Sequence, residues 1–242
     1  IVKAQELGIE IIRREILLSK IMDEHKNKIA ISGTHGKTTT SSMISEIFIN
    51  AKKNPTISIG GILNSLNSNT LEGGNNYFVA EACEYKDSFL SLNPTCGVIL
   101  NIDADHLDYF KDLNAIKESF KTFASHISDN GYLIINNNCY GINEIKDLVK
   151  CNVVTYGNSN ANFKADNISN SQEGYPTFDI IYNNEKLTTI TLKVPGYHNV
   201  SNSLAAFAVC YSLGIDINII KEGLENFTLP KRRMELKGEV NG

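Results

Sequence analysis

Ile29-Ala30-Ile31-Ser32-Gly33-Thr34-His35-Gly36-Lys37-Thr38-Thr39-Thr40 joins a short apolar run to two glycines, a lysine and a series of hydroxyls. A helix-compatible segment from Ser41 to Asn50 follows, so the pattern predicts a strand, a tight loop and a helix. Gly33 and Gly36 allow a sharp turn that aims backbone N–H groups inward, and the new helix presents its positive end to an anion. This order is typical of a phosphate-binding loop.

Two side chains of the loop suit a nucleotide with bound magnesium. Lys37 can reach the outer phosphates, and the Thr38 hydroxyl can ligate Mg²⁺. The strict P-loop pattern has glycine where Ile31 stands, so this is a shortened version. Because Gly-Lys-Thr is common by chance, an ordinary strand-to-helix turn with an exposed lysine is the alternative. The flanking strand and helix favour nucleotide binding.

Composition limits the class of protein. The chain has 242 residues, of which 42 % are hydrophobic and 21 % charged, as in an ordinary soluble globular protein. A net charge of −4 gives no electrostatic support for nonspecific nucleic-acid binding. No apolar run has membrane-spanning length, and the start does not resemble a signal peptide. The five cysteines are an odd number without metal-ligand spacing, which favours reduced thiols and a cytoplasmic location.

The apolar runs predict the fold class. Runs at 28–32, 77–81 and 96–102 are continuous, which suits parallel strands covered on both faces. We therefore predict an α/β fold with a P-loop-type, mostly parallel sheet flanked by helices. After Cys151 the pattern changes to short strands separated by turn signals, which predicts a small additional antiparallel β-sheet. Its strands are expected at 153–156, 163–168, 177–182 and 187–194, the last two paired as a hairpin.

Further local features are predicted from turn and capping residues. Residues 1–25 are expected to form a short strand or turn and then a helix from about Ser19. A strand at 55–61 is expected to end in a Gly-Gly turn, and the Asn-, Ser- and Gly-rich stretch 64–76 is expected to be a surface loop. Asn199 is a candidate cap for the helix that runs to Leu213.

One carboxylate and one imidazole lie at the carboxyl ends of predicted strands. Ligands of parallel sheets collect at the carboxyl ends of strands, so Glu81 and His106 should meet the glycine loop. Glu81 can hold Mg²⁺ directly or through water, or it is simply an exposed strand-end glutamate. Magnesium prefers oxygen ligands, so a metal role and a structural role both stay open for His106. Asp105 and Asp108 are expected to cap the following helix rather than orient the imidazole.

Other polar residues are candidates for nucleotide contacts. His35 lies inside the loop, and whether it touches phosphate or substrate stays open. Asn199 and Asn202 are three residues apart at a helix start, where amides can contact the edge of adenine. The alternative role of Asn199 is helix capping, and the alternative for Asn202 is an ordinary surface position. Arg232 and Arg233 can meet phosphate from a hinge or can be solvated.

Taken together, these residues resemble the Mur ligase family, the ATP-dependent amide-forming enzymes of peptidoglycan synthesis. The matching motifs are Gly33-Thr34-His35-Gly36-Lys37-Thr38-Thr39, Glu81-Ala82, Asn101-Ile102-Asp103-Ala104-Asp105-His106-Leu107-Asp108, Gly196-Tyr197-His198-Asn199-Val200-Ser201-Asn202 and Arg232-Arg233. The histidine in the loop, with Glu84 and 88–90, resembles members that add alanine to UDP-N-acetylmuramate. The resemblance covers nearly the whole chain.

The resemblance implies cofactors and roles. ATP and Mg²⁺ are the cofactors. Lys37 would bind the β- and γ-phosphates, Thr38 and Glu81 one Mg²⁺, and His106 a second, which makes Lys37, Glu81 and His106 the catalytic residues. Asn199 and Asn202 would contact adenine and Arg233 the phosphates during closure, with the remaining loop residues Gly33, Thr34, His35, Gly36 and Thr39 completing the nucleotide site. ATP would phosphorylate the substrate carboxylate, and the amine of alanine would attack the acyl phosphate.

The resemblance also implies an organisation into three domains. Residues 1–25 would be a linker from a domain that binds the uridine nucleotide, 26–230 the central ATP-binding domain, and 231–242 a hinge to a C-terminal domain. UDP-N-acetylmuramate and L-alanine are the expected partners, with sites mostly on the other domains. Neither nucleic acid nor a membrane is expected as a partner. A ligase that re-attaches recycled muropeptide and a nucleotide-binding module without ligase chemistry are the alternatives.

Three positions depart from the family pattern. Several relatives carry a carboxylated lysine in the helix after the metal histidine, whereas this chain has Phe120 there with Lys121 beside it. We therefore do not expect that modification. Cys83 and Tyr85 replace polar residues that are common after the glutamate.

Overall fold

The computed structural model describes residues 1–157 and 160–230, whose strands form a single ten-stranded sheet. Its strand order is β10-β9-β8-β7-β6-β5-β1-β4-β2-β3. The strands are β1 (Asn27–Ser32), β2 (Thr56–Leu63), β3 (Ser68–Leu71), β4 (Tyr77–Glu81), β5 (Cys96–Ile99), β6 (Tyr132–Asn136), β7 (Asn152–Gly157), β8 (Phe163–Asn170), β9 (Pro176–Tyr182) and β10 (Glu185–Thr191).

Helices cover both faces of this sheet. They are α1 (Val2–Glu6), α2 (Arg14–Asp23), α3 (Lys37–Asn50), α4 (Leu113–Ser125), α5 (Ile142–Leu148), α6 (Tyr197–Ser212) and α7 (Ile217–Glu225), with a 3₁₀ segment at Tyr85–Ser91. Within the described part of the chain, no helix combines the length and apolar character that crossing a bilayer requires.

The centre of the sheet is parallel and buried on both sides, as the continuous apolar runs predict. β1 pairs in parallel with β4 and β5, β5 with β6, and β6 with β7. Ile29 and Ile31 face the core under α3, α6 and α7, whereas Ala30 faces the core under α2 and α4. All three side chains are fully buried. The predicted fold class is therefore confirmed.

The antiparallel strands are present but do not form a sheet of their own. β7 pairs in parallel with both β6 and β8, and β8, β9 and β10 then continue the same sheet in antiparallel order. The β9–β10 hairpin is confirmed, and its turn residues Asn183 and Asn184 both have positive φ, as tight hairpin turns require. Strand pairing is a nonlocal choice, so the change of pattern at Cys151 did not mark a separate sheet: β7 and β8 remain parallel, and the strand direction reverses only at β9.

Three local predictions are wrong. The N-terminal region holds α1, and α2 begins at Arg14 rather than near Ser19. Gly60 and Gly61 lie inside β2 instead of ending it, and the predicted surface loop contains β3, which pairs antiparallel with β2. Both positions are close to residues from other parts of the chain, Glu81 beside Gly60 and Thr38 beside Gly61, and these contacts explain why they are glycine.

The topology brings three strand ends to one edge. In the register of the sheet Ile31 lies opposite Glu81, and Ser32 lies opposite Ile99. The segments that follow β1, β4 and β5 therefore leave the sheet side by side. This edge holds the glycine loop, Glu81 and the approach to His106.

Candidate active site

The loop between β1 and α3 has a shape that only glycine permits at two positions. Gly33 has φ +139° and Gly36 has φ +87°. A Cβ atom on Gly33 would lie 2.9 Å from Leu100 Cβ, and one on Gly36 would lie 2.6 Å from Asn202 Oδ1. The loop is thus pressed against the end of β5 and the start of α6, and a side chain at either glycine would displace those neighbours.

Asn101 fixes the loop from the neighbouring strand. Its side chain accepts the His35 N–H at 2.7 Å and donates to the His35 carbonyl at 3.0 Å. Thr34 is held in the same way, because its hydroxyl accepts the Asp103 N–H at 3.0 Å. The sequence motif contained Asn101, but no role was predicted for it. Its position directly after a buried strand was the available signal.

Lys37 points back into the loop and meets a carboxylate. Its Nζ donates to the Gly33 carbonyl at 2.6 Å, to the Thr34 carbonyl at 3.3 Å and to both Glu84 oxygens at 3.0 and 2.8 Å. The Glu84 side chain is only 2 % exposed and that of Lys37 16 %. Burying a carboxylate is costly unless a cation and hydrogen bonds compensate it. Glu84 is the main site residue that the sequence argument left without a role.

Glu81 collects three donors at the end of β4. Its carboxylate accepts the Thr38 hydroxyl at 3.2 Å, the Ser41 hydroxyl at 3.2 Å and the Gly60 N–H at 2.5 Å. A Cβ on Gly60 would lie 2.9 Å from Glu81 Oε2, and one on Gly61 would lie 2.6 Å from Thr38 Cγ2. The two glycines of β2 therefore let this strand approach the loop closely.

The pairing of Thr38 with Glu81 fits Mg²⁺. A hydroxyl and a carboxylate are the hard oxygen ligands that magnesium prefers, and it commonly takes one or two carboxylates while phosphates and water supply the rest. Within residues 1–157 and 160–230, no group of three or more His, Cys, Asp or Glu side chains converges at metal-binding spacing.

His106 lies beside Glu84. Its Nε2 is 3.8 Å from Glu84 Oε1, and its Nδ1 is 3.9 Å from Asp105 Oδ1. The expected capping role of Asp105 and Asp108 is wrong. Asp105 accepts the His106 N–H at 2.7 Å and Asp108 accepts the Tyr85 hydroxyl, while Asp112 is the residue that caps α4.

A cleft of about 470 Å³ joins the loop to the start of α6. Its lining consists of Thr34, His35, Gly36, Lys37, Thr38, Thr39, His198, Asn199, Asn202 and Leu229. The two asparagines are therefore brought to the loop. Asn199 is not the helix cap, because Gly196 occupies that position, and its Nδ2 donates to the Pro195 carbonyl at 2.7 Å. Asn202 donates to Asn199 Oδ1 at 3.2 Å.

The comparison with known families agrees with this arrangement. The model of the Mur ligase middle domain matches residues 31–210, a range that begins in β1 and ends in α6. The chain belongs to the Mur ligase family.

Individual relatives are similar over nearly all of this Mur ligase chain. A UDP-N-acetylmuramate–L-alanine ligase of Lachnospira eligens is 50 % identical over 241 residues, which are 99 % of this chain and 52 % of the relative. The crystal structure of a UDP-N-acetylmuramate–alanine ligase from Thermotoga maritima has a TM-score of 0.84 at 28 % identity, over 99 % of this chain and 54 % of that one.

A second solved structure is equally similar in shape. The UDP-N-acetylmuramate:L-alanyl-γ-D-glutamyl-meso-diaminopimelate ligase of Neisseria meningitides has a TM-score of 0.84 at 26 % identity, over 95 % of this chain and 75 % of that one. The chain spans about half the length of the curated relatives it matches.

Two further expectations about this Mur ligase concern residues outside the cleft. Arg233 lies outside the described residues, as does Arg232. Phe120 is buried in the core, and Lys121 forms ion pairs with Glu118 and Glu144. The hydrogen bond with Glu118 raises the pKa of Lys121 and so favours its ammonium form, whereas carboxylation needs a neutral amine.

Proposed function

We propose that this chain is the ATP-binding part of a ligase that joins L-alanine to UDP-N-acetylmuramate through an acyl phosphate. The observation that carries the proposal is the convergence of Lys37 and the Thr38–Glu81 pair on one strand edge, beside a cleft that leads to Asn199 and Asn202. Relatives about half identical to the chain bear the name of that ligase, which supports this choice of substrates.

The loop residues would bind the polyphosphate of ATP. The N–H groups at the start of α3 and the Lys37 ammonium supply positive charge where a transferring phosphoryl group develops negative charge. Glu84 holds Lys37 in the loop, and three donors hold Glu81. Thr38 and Glu81 would hold Mg²⁺, whose charge would offset that of the phosphates. The protein contributes position and electrostatics rather than a covalent step.

The amine donor separates the main proposal from its alternative. The alanine ligase of Thermotoga maritima and the tripeptide ligase of Neisseria meningitides are almost equally similar to the chain in structure. Sequence identity of 44 to 50 % to proteins named for alanine favours alanine. We further propose that the uridine nucleotide and the amino acid bind mainly outside residues 26–230, and that the enzyme acts in the cytoplasm.

The test uses the full-length protein that contains this chain. With ATP, Mg²⁺ and UDP-N-acetylmuramate, hydroxylamine should attack the acyl phosphate to give a hydroxamate and free phosphate. In a separate reaction without hydroxylamine, the amine of L-alanine should attack the acyl phosphate to give the amide and free phosphate. The same assay with L-alanyl-γ-D-glutamyl-meso-diaminopimelate tests the alternative donor. The absence both of hydroxamate from UDP-N-acetylmuramate and of amide formation with either donor would overturn the ligase proposal and favour a nucleotide-binding module.

A matched pair of lysine variants locates the activity. Lys37→Ala should abolish acyl-phosphate formation. Lys117→Ala should not, although its side chain is also little exposed and ion-paired, here with Glu144 on the side of α4 and α5. Equal activity of the two variants would refute the assignment of the loop.

A further inference from the structure

The donors of the Lys37 ammonium already have acceptors within the protein. An ammonium carries three N–H donors. Four acceptor atoms lie within 3.3 Å of Lys37 Nζ, namely the carbonyl oxygens of Gly33 and Thr34 and both carboxylate oxygens of Glu84. A phosphate oxygen can therefore receive a hydrogen bond from this ammonium only if one of these contacts breaks.

Backbone donors of the loop are engaged as well. The Thr34 N–H donates to the Asn101 carbonyl at 3.2 Å, and the His35 N–H donates to the Asn101 side chain at 2.7 Å. The carboxylate of Glu84 also offsets the positive charge that Lys37 would present to an anion. A polyphosphate that enters this loop must consequently displace protein acceptors as well as water.

Glu84 is the partner of Lys37 that a phosphate would weaken. The two carbonyls belong to the loop itself, three and four residues before Lys37, and remain beside the ammonium. Glu84 lies 47 positions away, on the segment that follows β4. A phosphate in contact with Lys37 would place negative charge next to this carboxylate, and like charges repel each other.

The backbone of Glu84 is anchored, so its carboxylate cannot follow the ammonium. The Glu84 carbonyl accepts the Asp87 N–H at 3.0 Å, and the Cys83 carbonyl accepts the Phe89 N–H at 2.9 Å. Phe89 is buried and stacks on Phe123 of α4 with centroids 4.9 Å apart. If Lys37 turns towards the cleft that it lines, Glu84 stays behind as a buried carboxylate that has lost its cation, which is costly.

We propose that Glu84 is a positioning residue that competes with the phosphates of ATP for the Lys37 ammonium, so that nucleotide binding exchanges a carboxylate partner for a phosphate partner. The inference rests on the proposed function, which assigns the polyphosphate to this loop. Weakening the contact between Lys37 and Glu84 should therefore tighten nucleotide binding. If Glu84 only stabilised the fold, or held Lys37 against the phosphate, its replacement would leave binding unchanged or weaken it.

The experiment measures the binding of a non-hydrolysable ATP analogue with Mg²⁺ to the full-length protein by calorimetry. Glu84→Gln keeps the size of the side chain and removes its charge. Glu84→Asp keeps the charge but shortens the side chain by one methylene, which breaks the contact of 2.8 Å with Lys37. Asp105→Asn is the matched control, because it removes a negative charge at the same strand edge from a side chain that accepts the His106 N–H.

We expect Glu84→Gln to bind the analogue at least about tenfold more tightly than wild type, because charge-assisted hydrogen bonds are roughly twice as strong as neutral ones. Glu84→Asp should also bind it more tightly, and Asp105→Asn should bind it as wild type does. Scanning fluorimetry without nucleotide should show a lower unfolding temperature for Glu84→Gln, since the buried ammonium loses its charged partner.

The outcomes distinguish the inference from the proposed function. Unchanged or weaker binding by both Glu84 variants, in a full-length wild type that forms acyl phosphate, would overturn the inference alone. Tighter binding by Glu84→Gln without tighter binding by Glu84→Asp would also overturn it, because charge repulsion would then be the cause, and so would equal tightening by Asp105→Asn.

Failure of the wild type itself would have a wider consequence. A wild type that neither binds the analogue nor forms acyl phosphate would overturn the proposed function and the inference with it. If Glu84→Gln fails to fold, the comparison of Glu84→Asp with Asp105→Asn decides, and equal affinities in that pair count against the inference.

Discussion

Replacing Gly36 by alanine tests the contact between the loop and α6. Gly36 has φ +87°, and an L-residue in the left-handed region costs about 1–2 kcal/mol. The new Cβ would also lie 2.6 Å from Asn202 Oδ1, so that side chain must rotate. Rotation breaks its buried hydrogen bond to Asn199, which contributes about 1 kcal/mol. We expect Gly36→Ala to lower the free energy of unfolding by about 2–3 kcal/mol in total.

Gly214→Ala is the control for backbone strain alone. Gly214 has φ +74°, and a Cβ there would meet nothing within 4 Å. Its cost should therefore be only the left-handed conformation, about 1–2 kcal/mol. Urea unfolding followed by circular dichroism measures both variants, and calorimetry with Mg-ATP should show weaker binding for Gly36→Ala alone.

A double variant isolates the clash. Asn202→Ala removes the oxygen that the new Cβ would meet, so in this background Gly36→Ala should cost no more than Gly214→Ala. A destabilisation by Gly36→Ala no larger than that by Gly214→Ala in the wild type would refute the clash. An extra cost of Gly36→Ala that survives in the Asn202→Ala background would also refute it, because the loop would then not depend on α6.

Four more outcomes follow from the same structure. Lys37→Ala should lower turnover of the full-length enzyme by at least about a hundredfold, since one lost preorganised contact costs on the order of 3 kcal/mol; steady-state kinetics would show it. Lys186, Thr189 and Asn167 hold the pKa of Asp179 well below its usual range, so its contribution to stability is present above about pH 4 and lost as pH falls. Asp179→Asn should therefore be less stable than wild type at pH 7 and lose less on acidification, as urea melts at several pH values would record. Cys83 is exposed and the other four cysteines are buried, burial raising the pKa of Cys96 and of Cys139 to about 12. Ellman's reagent should thus label one thiol quickly and five after unfolding, and two fast thiols in the native state would contradict the burial. Residues 1–242 alone should bind Mg-ATP weakly and show no alanine-dependent phosphate release. Without substrate positioning, the activation free energy should be higher by roughly 7–11 kcal/mol. Measurable release would place the substrate sites on this chain.

Local chemistry was sufficient to predict the elements that carry the loop. A helix was predicted after the loop from the helix-compatible segment Ser41 to Asn50, and α3 spans Lys37–Asn50, because an apolar run, two glycines and a helix-compatible stretch are neighbours in sequence. Continuous apolar runs predicted buried parallel strands for the same reason. Since the carboxyl ends of parallel strands share an edge, the approach of Glu81 to Thr38 was predicted too and is observed at 3.2 Å.

Contacts between distant segments were decided by the tertiary structure. Glu84 stands 47 positions from Lys37 and Asn101 stands 66 from His35, so no local pattern marks either as a partner of the loop. Gly60 and Gly61 resembled a turn in sequence, yet they lie inside β2. They are glycines because Glu81 and Thr38 approach that strand too closely for side chains. The antiparallel strands joined the main sheet through the β7–β8 pairing, which depends on edges that exist only after the chain folds. Sequence thus determined the residue types and the strand edge of the site, and folding determined which charges, amides and hydroxyls meet there.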